Sequence, residues 1–100
     1  MGDQEKKSNE ELYQRRLKIR AIDRHILELL RERMNCATDI ASLKADLKLP
    51  IKDERVEQEL LQENCQTAQK LGLDPQFAKD VTQLMVHHAV QVQTKKLLKN

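Results

Sequence analysis

One stretch limits the fold of this chain more than any other. From Glu11 to about Leu47 a seam of residues recurs at alternating steps of four and three: Leu12, Arg16, Ile19, Asp23, Ile26, Leu30, Arg33, Ala37, Ile40, Lys44 and Leu47. The aliphatic members describe one face of a long helix that has to be covered. The charged members do not suit such a face, because a charge taken into an apolar interior must be paired or shift its pKa. Three of the four are cations, Arg16, Arg33 and Lys44, against the single anion Asp23. The seam therefore carries an inward excess of positive charge, open to an anion from outside the chain.

Spacing along the seam adds a second constraint. Arg33 and Lys44 are eleven residues apart, about three helical turns, so they share a face and lie roughly 16 Å apart along the axis. Arg16 precedes Arg33 by seventeen residues, roughly 25 Å further along by the same rise. One small ligand cannot touch both arginines of a single straight helix, so a ligand held by Arg16 belongs to a site on another copy of the chain. An unbroken helix over this stretch would be ~54 Å long, against a radius of gyration near ~13 Å for a compact domain of this size. Its own chain cannot cover it. The expectation is an oligomer of a single small domain.

Composition agrees with helix throughout. Aromatic residues make up 2% of the 100 residues, and glycine and proline number two each, which speaks against a sheet protein. The net charge of +2 sits on a chain that is 34% charged with both signs interspersed, a solvated helical surface rather than a one-sided nucleic-acid footprint. Cys36 and Cys65 fit no metal-ligand spacing and read as small buried hydrophobes in a reducing compartment. No apolar run approaches transmembrane length, and Met1 to Glu10 is unlike a signal peptide, so a cytoplasmic protein without membrane partners is expected.

Along the chain, residues 1–10 read as a polar, disordered leader and residues 11–98 as the helical domain. Ser8 or Asn9 is a candidate cap for the first helix, which runs to the Lys44–Lys48 region. Pro50 ends either that helix or the short linker after it. Asp53 is the candidate N-cap of a second helix, from about Asp53 to Leu71, with Val56, Leu60, Leu61, Cys65, Ala68 and Leu71 as its apolar face. Gly72 suits a left-handed C′ position, and Asp74-Pro75 is an N-cap followed by proline at N1. The third helix then runs to about Leu98, with Phe77, Val81, Leu84, Met85, Ala89 and Val92 as its inner stripe.

Chemistry-bearing motifs are few. His87 and His88 are neighbours that point about 100° apart on a helix, so they cannot chelate one metal together, and no metal or cofactor is expected. No nucleophile–base arrangement and no glycine-rich phosphate loop can be placed. Lys95, Lys96 and Lys99 complement the dipole at a helix C-terminus. The seam cations leave two readings open: guanidiniums reaching out to water or paired locally, and a site for an anion.

The run Arg16, Ile22-Asp23, Leu29-Leu30, Arg33, Lys44, Pro50-Ile51, Asp53, Glu57 and Leu60-Leu61, followed by Gly72-Leu73-Asp74-Pro75, Phe77 and Gln93, resembles the all-helical chorismate mutases. The resemblance spans about Leu12 to Gln93 in order and spacing. It implies an all-α, intertwined homodimer of three-helix protomers with a very long first helix. It also implies two sites, each borrowing an arginine from the partner's long helix. Arg16 matches that borrowed arginine and Arg33 the same-chain arginine, the pair holding the two carboxylates of chorismate. Lys44 matches the lysine that reaches a carboxylate and the ether oxygen, and Gln93 the residue that donates to the same oxygen. Asp53 and Glu57 match the acidic pair near the ring hydroxyl. The implied function is rearrangement of chorismate to prephenate in aromatic amino-acid biosynthesis, without cofactor, metal or nucleic acid.

Two positions depart from that pattern. Mutases usually carry an arginine immediately before the acidic residue matched by Glu57, and here Val56 stands there with Arg55 displaced by one residue. Isochorismate-pyruvate lyases, relatives on the same fold, carry a Glu-Arg-Val run at this distance from the lysine, as Glu54-Arg55-Val56 does, but lack the acidic residue. Ala89 occupies a position where mutases have serine. Two alternatives follow: a lyase making salicylate and pyruvate from isochorismate, and a helical dimerisation module with little catalysis.

Overall fold

A computed structural model describes residues 2–99, with the side chain of Lys99 and all of Met1 and Asn100 outside the described part. It contains three helices: α1 (Gly2–Asp46), α2 (Glu54–Leu71) and α3 (Pro75–Lys99). No strand occurs among the described residues. The chain divides into two units, Met1–Arg33 and Met34–Asn100.

The first unit is helical from Gly2, so α1 starts before Glu11, and Ser8 and Asn9 lie inside the helix rather than capping it. The reason is local: residues 2–11 hold Asp, Gln, Glu and Lys, and Asp3/Lys7 and Lys6/Glu10 place opposite charges four residues apart. Every residue from Gly2 to Leu29 is exposed, including the seam members Leu12, Ile19 and Ile26. On the same segment Arg24 pairs with Glu28 at 3.4 Å, an exposed i,i+4 contact of small energetic weight.

The second unit holds the core. Ala37, Ala41 and Ala68 are its buried apolar residues, and Thr82 and Gln93 its buried polar ones. Small residues at Ala37 and Ala41 mark the covered side of the α1 segment. Ile40, the expected seam member, is exposed, because a straight helix of 3.6 residues per turn drifts off a strict heptad.

The helix ends follow capping chemistry closely. Leu49 N–H donates to the Lys44 carbonyl at 2.8 Å and Lys48 N–H to the Ala45 carbonyl at 3.2 Å, with Lys48 at φ 57°. That is a Schellman end in which lysine takes the left-handed position, and Pro50 follows in the linker. At the end of α2, Leu73 N–H donates to Ala68 O at 2.8 Å and Gly72 N–H to Gln69 O at 3.2 Å, with Gly72 at φ 73°. This is the same motif built with the residue that has no Cβ penalty. Asp53 caps α2 by accepting from Val56 N–H at 3.3 Å, and Asp74 caps α3 by accepting from Gln76 N–H at 3.0 Å. Pro75 opens α3, where its missing N–H costs nothing.

The middle of the apolar face expected on α2 is covered, whereas the packed face of α3 is shifted from the stripe expected from sequence. On α2, Leu60, Leu61, Asn64, Cys65 and Ala68 are covered, while Val56 and Leu71 are exposed. On α3, Phe77, Val81 and Leu84 are exposed; the expected Met85, Ala89 and Val92 are covered, together with Ala78, Thr82, Val86, Val90 and Gln93. A polar clasp fixes this register: Asn64 Nδ2 donates to Thr82 Oγ1 at 3.0 Å, and Thr82 Oγ1 donates to Ala78 O at 2.7 Å. Both Cys36 and Cys65 are free thiols, and Cys36 is exposed rather than buried, since it sits beside Ala37 on the outer side of the helix.

Candidate functional site

Gln93 is the most enclosed of the candidate residues, at 6% exposure. It sits about five turns into α3, on the inward face, and its Nε2 donates to the main-chain carbonyl of Ala37 at 2.9 Å. A primary amide has two N–H donors and one carbonyl acceptor, so this bond leaves one N–H and Oε1 for other partners. The contact fixes Gln93 against the α1 segment that also carries Lys44, two turns further on.

Lys44 is half-buried in the last turn of α1. Its Nζ donates to the carbonyl of Ile51 in the linker. An ammonium has three donors, and two remain. Its own main-chain carbonyl accepts from Leu49 N–H, so the residue is bound to the linker at both its backbone and its side chain.

Asp53 is exposed and spends one carboxylate oxygen on the cap of α2. Glu57 is half-buried, with its N–H on the Asp53 carbonyl at 3.0 Å. It lines a groove between α2 and α3 together with Lys52, Leu61, Val86, His87 and Val90. Among the described residues Glu57 takes part in no ion pair. Arg55 points away from this groove's acid: its Nε lies 3.2 Å from Glu59 Oε1 and its side chain is 88% exposed. The one-residue displacement from the mutase pattern thus turns its guanidinium along the outer surface of α2, as about 100° per residue requires. Ala89 is half-buried on α3, one turn before Gln93.

Arg16 and Arg33 belong to the first unit. Arg16 is exposed and Arg33 half-buried. Within the second unit the structure joins Gln93 to α1 and Lys44 to the linker.

The hydrogen-bond partners of Gln93 and Lys44 have no signal in the sequence. The carbonyls of Ala37 and Ile51 are main-chain atoms that any residue supplies, so no side-chain pattern marks them. Asn64 and Thr82 are polar residues that interrupt the apolar stripes, so no hydrophobic period marks them. Eighteen residues apart, their pairing has no local signal. A second groove, lined by Ala68, Leu71, Leu73, Phe77 and Val81, is almost wholly apolar in character. Among the described residues no group of three or more His, Cys, Asp or Glu is placed to hold a metal ion. None of the described helices is long and apolar enough to cross a membrane.

The described residues form an all-α chain with one very long helix, a helical pair and a buried amide bonded to the main chain of the long helix. Comparison with known proteins makes this class specific. Residues 15–94 match the family Chorismate mutase type II. The chain is also similar to a chorismate mutase of Methanocaldococcus jannaschii, with 30% identity over 79 residues that cover 79% of this chain and 80% of the relative. This chain belongs to the chorismate mutase type II family.

Proposed function

We propose that this chain is a chorismate mutase, an isomerase converting chorismate to prephenate in aromatic amino-acid biosynthesis, working as a cytoplasmic homodimer. The observation that carries the proposal is the family match over residues 15–94, which includes every candidate site residue from Arg16 to Gln93. The relative of similar length, itself a chorismate mutase, supports the same activity.

The reaction suits these residue types. The rearrangement breaks the ether C–O bond and forms a C–C bond within one molecule, and no proton or electron enters or leaves. The protein has two tasks, holding the side chain over the ring and stabilising negative charge that grows on the ether oxygen. The first is a proximity effect, which Arg33 and the partner copy's Arg16 serve by holding the two carboxylates. The second is electrostatic preorganisation, in which Lys44 and the free N–H of Gln93 donate to the ether oxygen. Buried and already tied to Ala37, Gln93 needs little reordering to act. Asp53 and Glu57 face the ring hydroxyl, and Ala89 contributes shape without a donor. Arg55, held by Glu59 on the outer surface, is left outside the working set.

The homodimer is supported by the unbroken exposed run of α1 from Gly2 to Leu29, whose aliphatic seam needs a partner. The free thiols of Cys36 and Cys65 fit a reducing compartment. A second reading, isochorismate-pyruvate lyase, draws on the Glu54-Arg55-Val56 run and on an Arg55 turned away from the groove. Purified protein is to be incubated separately with chorismate and with isochorismate, and the products identified by NMR. Prephenate from chorismate is expected. Salicylate and pyruvate from isochorismate without prephenate would favour the lyase, and no product from either would leave a dimerisation module.

A further inference from the structure

Lys44 is attached to the α1–α2 linker twice. Its carbonyl accepts from Leu49 N–H at 2.8 Å, and its ammonium donates to the Ile51 carbonyl across seven residues. Immediately before the first attachment stands Lys48, at φ 57° in the left-handed region that non-glycine residues seldom adopt. Glycine closes the equivalent end of α2, so this chain builds one motif at Gly72 without steric cost and at Lys48 with it. The result is a tight return of the chain that delivers a main-chain acceptor to the side chain of a residue in the last turn of the helix.

We infer that the linker is a positioning element for Lys44, with the Ile51 carbonyl taking one of its three ammonium protons and fixing the direction of the other two. The inference rests on the reading above that Lys44 donates to the ether oxygen, and it adds Ile51 and the left-handed Lys48 to the parts that reaction requires. A free lysine side chain samples many rotamers, and a donor must be aimed where charge develops to lower a barrier. A main-chain carbonyl suits this use because it orients the ammonium without neutralising it, as a carboxylate would. The same bond closes the linker over the end of α1 ahead of Asp53 and Glu57 on α2. The turn that aims Lys44 therefore also sets where the acidic residues begin.

The test uses the full-length protein and a double-mutant cycle. Lys48→Val puts a β-branched residue where φ is positive and should open the turn, whereas Lys48→Gly accepts that conformation freely. Lys48→Val should lower kcat/KM by roughly tenfold, the scale of a weakened hydrogen bond to a charged group, with Lys48→Gly close to wild type. In a Lys44→Ala background Lys48→Val should cause no further loss, because the donor it positions is gone. If circular dichroism shows Lys48→Val unfolded, a backbone ester between Ile51 and Lys52 replaces it. The ester weakens the Ile51 carbonyl as an acceptor and keeps every side chain, and the same loss and the same non-additivity are expected. An equal fold-loss in both backgrounds, or no loss in either the valine or the ester protein, overturns the positioning role. Full activity in Lys44→Ala alone would instead overturn the underlying assignment of Lys44.

Discussion

The side-chain amide of Gln93 donates to the main-chain carbonyl of Ala37 at 2.9 Å, joining α3 to α1 through one buried hydrogen bond. Ala37 is one turn after Arg33 and two turns before Lys44 in sequence. Gln93 is thus held on the α1 segment that the family pattern assigns to substrate binding, with one N–H still free to donate.

That arrangement gives Gln93 and Lys44 separable signatures. Removing a donor to developing charge typically lowers turnover by roughly 10²–10³-fold, and Gln93→Ala and Lys44→Ala should each do so. Gln93→Ala should also reduce stability by about 1–3 kcal/mol, because it deletes a buried bond and leaves a small cavity. Lys44→Ala should weaken substrate binding too, since Lys44 is proposed to reach a carboxylate in the ground state as well. Steady-state kinetics and urea unfolding on the same preparations separate these effects.

Gln93→Glu makes the donor pH-dependent. An ionised carboxylate has no proton to give and repels the ether oxygen, whereas its protonated form donates. The variant should be slow near neutral pH and gain turnover as pH falls through the pKa of the new carboxyl, with no such gain in wild type. The ionised form also loses the bond to Ala37, so melting temperatures are measured across the same range and kcat is compared only where the variant is folded. A flat profile with near-native turnover would remove Gln93 from the ether oxygen.

Arg55 supplies the opposite expectation. Its guanidinium is solvent-exposed and engaged with Glu59 on the outer side of α2. Arg55→Ala should change kcat/KM by less than about threefold, since exposed i,i+4 pairs contribute little. A hundredfold loss would show that Arg55 leaves Glu59 to reach the substrate.

Much of this architecture was legible in sequence where the chemistry is local. Asp53, Gly72 and Asp74-Pro75 mark helix ends through their own side chains or conformational freedom, and each stands where that chemistry puts it. Lys48 shows the limit: its left-handed turn is imposed by the linker, and nothing about a lysine announces it. The inward face of α3 was obscured because Thr82 and Gln93 are polar residues buried with their bonds satisfied, which a search for apolar stripes steps over. The start of α1 was placed too late because helix formation by charged residues leaves no apolar period to detect. Arg33 and Lys44 stand out because a charge in an otherwise apolar seam is costly, whereas Gln93 is marked only by the family resemblance. The partners of Lys44 and Gln93 do not stand out, because the carbonyls of Ala37 and Ile51 carry no side-chain signature.

The exposed seam of α1 supports the proposed self-association. Leu12, Ile19, Ile26, Leu27 and Leu29 are all exposed, more aliphatic surface on one helix than a monomer ordinarily shows to water. Sedimentation at micromolar concentration should give a dimer mass, with urea unfolding that depends on protein concentration. A folded, active monomer would contradict it.

The central claim is that each site combines Arg33 of one chain with Arg16 of the other, and subunit complementation tests it most directly. Arg16→Ala and Arg33→Ala should each be nearly inactive as pure dimers. Unfolded together and reassembled, they form heterodimers in which one site has both arginines intact and the other has neither. Random re-pairing should therefore restore roughly a quarter of wild-type activity, since half the dimers are mixed and one of their two sites works. No recovery, in a sample whose heterodimers are confirmed by mass spectrometry, would mean that both arginines serve a single chain.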